Sequence, residues 1–126
     1  MVAFTMVTIA FIALVGVFPQ ATSINKTSEN GSLSSFLAQQ KIEEIMSMGY
    51  DNIATGTIES LHRLGTSTSD QLYSFERITQ VSYVDSNLNS TTTDTELKMA
   101  STTVIYSDQM KKTSSNYSLK LLIYKN

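Results

Sequence analysis

The stretch MVAFTMVTIAFIALVGVF, residues 1–18, contains no charged side chain, and Pro19 follows it directly. Eighteen helical residues extend about 27 Å, which is close to the thickness of a bilayer's hydrocarbon core, about 30 Å. The remaining chain of about 108 residues forms one small domain, which is too small to bury such a segment in water. The segment is therefore expected to lie in lipid, to be removed by a peptidase, or to pack against copies of itself.

The sequence favours a helix that is retained in the mature protein over a secretory signal peptide. A signal peptide needs basic residues before its apolar core and a small-x-small cleavage site after it. No Lys or Arg precedes Lys26, although Ala21-Thr22-Ser23 would serve as a cleavage site. In a retained helix, small residues spaced by three allow close approach of another helix, and larger residues spaced by three or four form a second packing stripe. The small residues are Ala10, Ala13 and Gly16, and the larger ones are Phe4, Val7, Phe11, Leu14 and Phe18.

Helical periodicity returns after the polar segment 20–32, and Gly49 is a suitable end for the second helical stretch. Five apolar residues of this stretch are expected to pack against a sheet: Leu33, Phe36, Leu37, Ile42 and Ile45. Ser32 would cap a new helix, whereas Pro19 would only kink a single long one. We favour one long, bent helix over about residues 2–48. The predicted divisions are 1–19 for the transmembrane or filament-core half, 20–49 for the amphipathic half, and 50–126 for a connector and a sheet.

Strand patterns occupy the second half of the chain, with one short strand expected near residues 57–61 and longer ones at 71–84, 96–106 and 117–125. Apolar and polar residues alternate in the first and last of the longer runs, which is typical of an antiparallel sheet with one wet face. The polar breaks at 85–95 and 107–116 would return the chain as a meander. The sequence therefore predicts an α+β fold in which a long helix packs on a small antiparallel sheet of three to four strands.

Composition excludes several functional classes. The net charge of −2 leaves no basic surface for nucleic acid, and the chain contains no cysteine for disulfides or thiol chemistry.

His62 is the only histidine and is expected to be a polar residue in a loop. Glu43 and Glu44 point in different directions from a helix and do not form an acid–base pair. Three carboxylates flank loops and could contribute to a calcium site, but their spacing matches no calcium loop: Asp85, Asp94 and Asp108. No catalytic, cofactor-binding or metal-binding residue is predicted.

Several segments follow one another in a characteristic order along nearly the whole chain. Val2-Ala3-Phe4 opens the apolar run, and LAQQKIEEI, residues 37–45, is followed by Gly49-Tyr50-Asp51. YSFER, residues 73–77, and LK, residues 97–98, then lead into TTVIY, residues 102–106. In this order the chain resembles the type IV pilins and the pseudopilins of type II secretion, most closely their minor subunits. The resemblance implies a pilin-like fold and a structural subunit.

The chain departs from the family at its beginning. Family members start with a short basic leader that ends in Gly, and it is cut before a Phe that is then methylated. They also carry a Glu at the fifth mature position. None of these features is present, whether the chain is aligned on Val2-Ala3 or on Pro19. We expect the sequence to begin at an internal methionine, with the true start upstream.

The resemblance implies a minor pilin-like subunit of a type IV pilus or a type II secretion pseudopilus, without enzymatic activity. Its implied partners are other pilin or pseudopilin subunits, the lipid bilayer and the inner-membrane assembly platform. The expected location is the cytoplasmic (inner) membrane, crossed once with the sheet domain outside, and then a cell-surface or periplasmic filament. The alternative is a secreted or membrane-tethered binding or adhesion domain that is unrelated to filaments.

Overall fold

The structure is a computed structural model that describes the backbone of residues 2–108 and 113–125, and the side chains of residues 6, 7, 11, 24–107 and 113–125. The chain divides into two compact units, Met1–Ser32 and Leu33–Asn126. This boundary falls inside the predicted segment 20–49 rather than at either of its ends.

A single helix, α1, runs over Val2–Met48, as the sequence predicts for residues 2–48. Ser32 does not cap a second helix, because its hydroxyl donates to the carbonyl of Ser28 one turn earlier, at 3.0 Å. The helix ends where Gly49 adopts a φ of +74°, a left-handed conformation that glycine takes without steric cost. A 3₁₀ turn, Tyr50–Asn52, follows. The side chain of Pro19, the predicted kink, lies outside the described residues.

The predicted location of the protein in a membrane is not supported by this helix. A crossing helix needs about 20 consecutive, mostly apolar residues. Within the part of the chain that the structure describes, no helix combines the length and the apolarity needed to cross a membrane. The described side chains of α1 include the polar run 25–32, which contains Lys26 and Glu29. The prediction of a single-pass protein of the cytoplasmic membrane is therefore wrong.

The second unit contains an antiparallel sheet, and the α+β class is confirmed. Its strands are β1 (Gly56–Arg63), β2 (Phe75–Val84), β3 (Ser90–Thr91), β4 (Leu97–Asp108) and β5 (Thr113–Tyr124). The order across the sheet is β1-β2-β4-β5, and β3 pairs with the end of β2. The sheet has five strands rather than three to four, because two residues of the predicted loop 85–95 pair as β3. β4 and β5 also extend into the predicted loop 107–116.

The alternation of buried and partly exposed side chains along β4 shows which face of the sheet packs against the helix. In β4, alternate side chains from Lys98 to Val104 are buried, while those between them are partly exposed. Successive side chains of a strand point to opposite faces, so one row packs under α1 and the other meets solvent. The row of β5 that pairs with this buried row is only partly buried, since β5 lies at the edge of the sheet.

The core lies between the sheet and the last four turns of α1, in two clusters. The first contains Ile42, Ile45, Ile53, Val81 and Ala100, and the second contains Leu37, Ala38, Phe75 and Val104, with Leu33 packed against it. Complete burial of a side chain such as Ile45 stabilises the fold by about 1.5–3 kcal/mol.

Phe36 does not belong to this core, and its predicted packing against the sheet is wrong. Its side chain is 60 % exposed. Residues two apart on a helix are separated by about 200° around the axis, so Phe36 lies on the side opposite to the buried Ala38. The apolar side of this helix is therefore narrower than the sequence pattern indicates.

Between β1 and β2 the chain makes a close backbone approach at Gly65, which is buried. A Cβ atom there would overlap the backbone nitrogen of Tyr73 and lie 2.7 Å from its Cα. Glycine is therefore required where this connection passes the 3₁₀ turn Gln71–Ser74.

Candidate functional site

The first unit exposes large apolar side chains on α1, which we call the α1 apolar surface: Met6, Val7, Phe11 and Ile24. These four side chains are 66–69 % exposed. Val7 and Phe11 lie one turn apart, and Met6 and Ile24 lie five turns apart on one side of the helix. Large apolar side chains exposed on a helix are candidates for contact with another helix. The other side chains predicted to pack lie outside the described residues: Phe4, Ala10, Ala13, Leu14, Gly16 and Phe18.

In the second unit, Lys98 connects the end of α1 to the sheet. Its side chain is buried, and its ammonium donates to the carbonyls of Tyr50 and Ile53, both at 2.8 Å. The ammonium also lies 4.1 Å from the centroid of the Tyr50 ring and 5.5 Å from that of Tyr83. Cation–π contact and two charge-assisted hydrogen bonds thus satisfy the buried charge.

The Tyr50 hydroxyl completes this junction by donating to the carboxylate of Asp94 at 2.5 Å. Burial of Tyr50 and its bond to Asp94 raise the pKa of the phenol above its usual range. The same bond, with one from the backbone N–H of Glu96, lowers the pKa of the Asp94 carboxyl. The Tyr50 hydroxyl, bonded to an ionised carboxylate, is a poor acid at neutral pH. Its bond to Asp94 therefore has a structural role.

A second polar network joins β1, β2 and the helix. Arg77 makes a two-point contact with Glu59, with N–O distances of 2.8 and 2.9 Å, and both side chains are largely buried. A third guanidinium nitrogen donates to the carbonyl of Leu37 in α1, at 3.3 Å. Thr79 donates to Glu59 at 2.9 Å and lies 3.2 Å from the hydroxyl of Thr102. The guanidinium group of Arg77 thus bonds both to the neighbouring strand β1 and to α1.

This network holds Glu59 in its ionised form. Burial by itself raises the pKa of the carboxyl, but the hydrogen bonds from Arg77 and Thr79 outweigh it, and the pKa falls below its usual value. His62 lies nearby, with Nε2 3.5 Å from a Glu59 oxygen and Nδ1 3.0 Å from the carbonyl of Ser60. His62 belongs to β1, so its predicted place in a loop is wrong. A carboxylate engaged this fully is not poised as a general base.

The other carboxylates that the sequence singles out are separated in space or hold loops. Glu44 pairs with Lys41 at 2.9 Å on the exposed side of α1, and Glu43 is exposed. Asp85 accepts hydrogen bonds from the backbone of Asn87 and Asn89 within its own loop, which lowers the pKa of its carboxyl. The side chain of Asp108 lies outside the described residues. Among the described residues, no three His, Asp or Glu side chains are grouped in a way that could hold a metal ion.

The sheet face opposite to the helix carries a shallow, open depression of about 410 Å³. Its lining comes from all five strands and includes Thr57, Gln80, Ser82, Ser101 and Lys120. Hydroxyl and amide groups dominate, and Lys120 is the only charged side chain that lines it. The depression provides hydrogen-bonding groups but no acid–base pair, so it offers no catalytic constellation.

Comparison with protein-family models, with curated proteins and with solved structures returned no match. Sequence reasoning missed both polar networks. For Lys98 a signal was present, because its two-residue spacing from Ala100 places it in the buried row of β4. Glu59 gave no such signal, because register shifts interrupt the β1 ladder on both sides of it.

Proposed function

We propose that this protein is a structural subunit of a pilin-type filament, either a type IV pilus or a type II secretion pseudopilus, and that it is not an enzyme. In this proposal the helix of the first unit packs against the same helix of neighbouring subunits. The second unit, which contains the sheet and is called the sheet unit below, faces outward. The observation that carries the proposal is the α1 apolar surface, whose four side chains remain at least 66 % exposed.

The physical reason is the cost of leaving this surface in water. Burying a side chain the size of Phe or Met contributes about 1.5–3 kcal/mol, so even partial cover of four such residues drives association. Helices that pack along their length bury such side chains repeatedly, one subunit on the next. The partners in this proposal are accordingly other subunits of the same filament.

The sheet unit supports the proposal through what its ionisable groups do. Arg77 and Lys98 bond the helix and the turn after it to the sheet, and Glu59 holds Arg77 in place. Such groups rigidify a domain and leave no activated nucleophile or base among the described residues. A rigid domain without activated groups suits the outer side of a filament.

The test is assembly of the full-length chain, followed by sedimentation velocity and negative-stain electron microscopy. We expect the unaltered chain to form large species and Phe11→Lys to abolish them, because a charge cannot be buried between apolar helices. Gln40→Lys is the matched control, since it adds the same charge at an exposed polar position of the same helix. It should assemble like the unaltered chain.

Filaments sheared from the cells that make this protein provide a second test. An antibody to the sheet unit should detect the protein in the sheared filament fraction, and Phe11→Lys should remove it from that fraction. A freely monomeric unaltered chain that is absent from filaments would overturn the proposal. That result would favour the alternative, a binding or adhesion domain unrelated to filaments.

A further inference from the structure

β5 forms an edge of the sheet, and this edge lacks the features that normally prevent strand pairing. It is twelve residues long and pairs with β4 in an unbroken register from Leu97↔Tyr124 to Asp108↔Thr113. It contains no proline, no glycine and no bulge, and Lys120 is its only charged residue. On its outer side, no described strand pairs with it. A long, flat, weakly charged edge leaves a row of N–H and C=O groups available to another strand.

The opposite edge of the sheet is protected. The β1 ladder contains two register shifts, and the strand carries three ionisable residues, Glu59, His62 and Arg63. The two-residue β3 lies beside β2 on the same side as β1, because β4 occupies the other side of β2. Bulges and charges of this kind prevent strand addition. A head-to-tail contact between β5 of one copy and β1 of another is therefore disfavoured.

Apolar side chains lie on both faces of the second half of β5. Leu119, Leu121 and Ile123 point toward the helix and are only partly buried. On the other face, Leu122 is 47 % and Tyr124 is 66 % exposed. Further apolar burial is therefore available to a strand that pairs with this edge.

We propose that two copies of this chain pair antiparallel through β5, about a two-fold axis, to form one continuous ten-stranded sheet. The strand that pairs with β5 is β5 of a second copy, because this segment is nearly self-complementary. Pairing about Leu121 places Leu119 opposite Ile123 of the second copy, and Lys120 opposite Leu122, which can pack on the aliphatic stem of the lysine. A contact that is the same on both copies closes on itself and yields a dimer.

The charge on Lys120 selects this register over the neighbouring one. An axis at Lys120 would place two ammonium groups directly opposite each other, and like charges in that position destabilise a pair. An axis at Leu121 avoids this and keeps the partly buried row of each copy on the same face, which the helices cover. Leu121 is therefore the residue that faces its own symmetry mate.

The dimer can be tested independently of the filament. The full-length chain carrying Phe11→Lys lacks the proposed helix association, and we expect sedimentation velocity to show it as a dimer. Adding Leu122→Lys should weaken that dimer by about tenfold or more in Kd, because it places charge on the edge. The matched control is Leu61→Lys on β1, where the side chain is 51 % exposed, and it should leave the dimer unchanged. Circular dichroism of each variant checks that it is folded.

Cross-linking reports the register directly, because the chain has no cysteine of its own. Residues opposite each other in an antiparallel pair have Cα atoms about 4.5–5.5 Å apart, within the range that a disulfide spans. Under mild oxidation, Leu121→Cys should give a disulfide-linked dimer, and Leu61→Cys should not. A monomeric Phe11→Lys chain, or equal cross-linking of the two cysteine variants, would overturn the inference. An unaltered chain that forms the β5 dimer but no larger species would instead count against the proposed function alone.

Discussion

The ammonium of Lys98 lies 4.1 Å from the centroid of the Tyr50 ring and donates to the carbonyl of that same residue at 2.8 Å. The lysine belongs to β4, and the tyrosine belongs to the 3₁₀ turn that follows α1. One buried side chain therefore holds both the backbone and the ring of the turn that positions the helix on the sheet. The carbonyl of Ile53 receives a second hydrogen bond from the same ammonium.

Lys98→Met is expected to destabilise the sheet unit by about 2–4 kcal/mol, measured by urea denaturation. The substitution retains most of the apolar volume but leaves the carbonyls of Tyr50 and Ile53 buried without a donor, which is costly. Lys26→Met serves as the comparison, because Lys26 is exposed on α1 and its loss should stay within about 0.5 kcal/mol. Equal unfolding midpoints for the two variants would refute this role of Lys98.

The Glu59 carboxyl should make stability depend on pH in the acid range. Its pKa is lower in the folded chain than in the unfolded one, so the unfolded state binds more protons there. The resulting stabilisation is complete above the ordinary glutamate pKa, about 4.3, and is lost as pH falls through the lower, folded value. Glu59→Gln should therefore be less stable than the unaltered chain at neutral pH, and the difference should narrow in acid.

Unfolding midpoints measured between neutral pH and the acid range provide this comparison. Glu43→Gln is the control, because Glu43 is exposed, and its curve should run parallel to that of the unaltered chain. If the difference between Glu59→Gln and the unaltered chain stays constant with pH, the contact with Arg77 does not hold the charge as described.

Gly65→Ala should destabilise the sheet unit by about 1–3 kcal/mol, because the added methyl group forces the backbone at Tyr73 to move. Gly31→Ala offers a contrast within the same chain. Gly31 lies in α1 and has open space around it, so alanine there should leave stability unchanged or raise it by about 0.5–1 kcal/mol. Thermal unfolding of the two variants gives the sign of each change, and a stable Gly65→Ala would contradict the close approach.

The sequence was sufficient to predict the helix and the four longer strands, because both follow local rules. Apolar spacing of three and four and the glycine at position 49 define the limits of α1. Alternation in β2 and β5 marks those strands, and it places Phe75 and Val81 in the buried row. Partners that pair across the sheet are not encoded locally, and the two-residue strand β3 was missed for that reason.

The polar contacts could not be predicted, because they join residues far apart in sequence. Arg77 reaches Leu37 across 40 positions, and Lys98 reaches Tyr50 across 48. The prediction that Phe36 packs against the sheet was wrong for a geometric reason. The sheet covers a narrower part of the helix surface than the apolar residues of the sequence pattern span. The membrane location was inferred from residues 1–18 alone, and no helix among the described residues has the length and the apolarity needed to cross a membrane.

The long separation between Tyr50 and Lys98 has a consequence for biosynthesis. Translation proceeds from the amino end, so α1 leaves the ribosome well before the lysine that secures its end is made. The hydrophobic side of α1 at Leu37, Ile42 and Ile45 has no complete cover until β4 has emerged and docked. We expect the nascent chain to engage a holding chaperone during that interval.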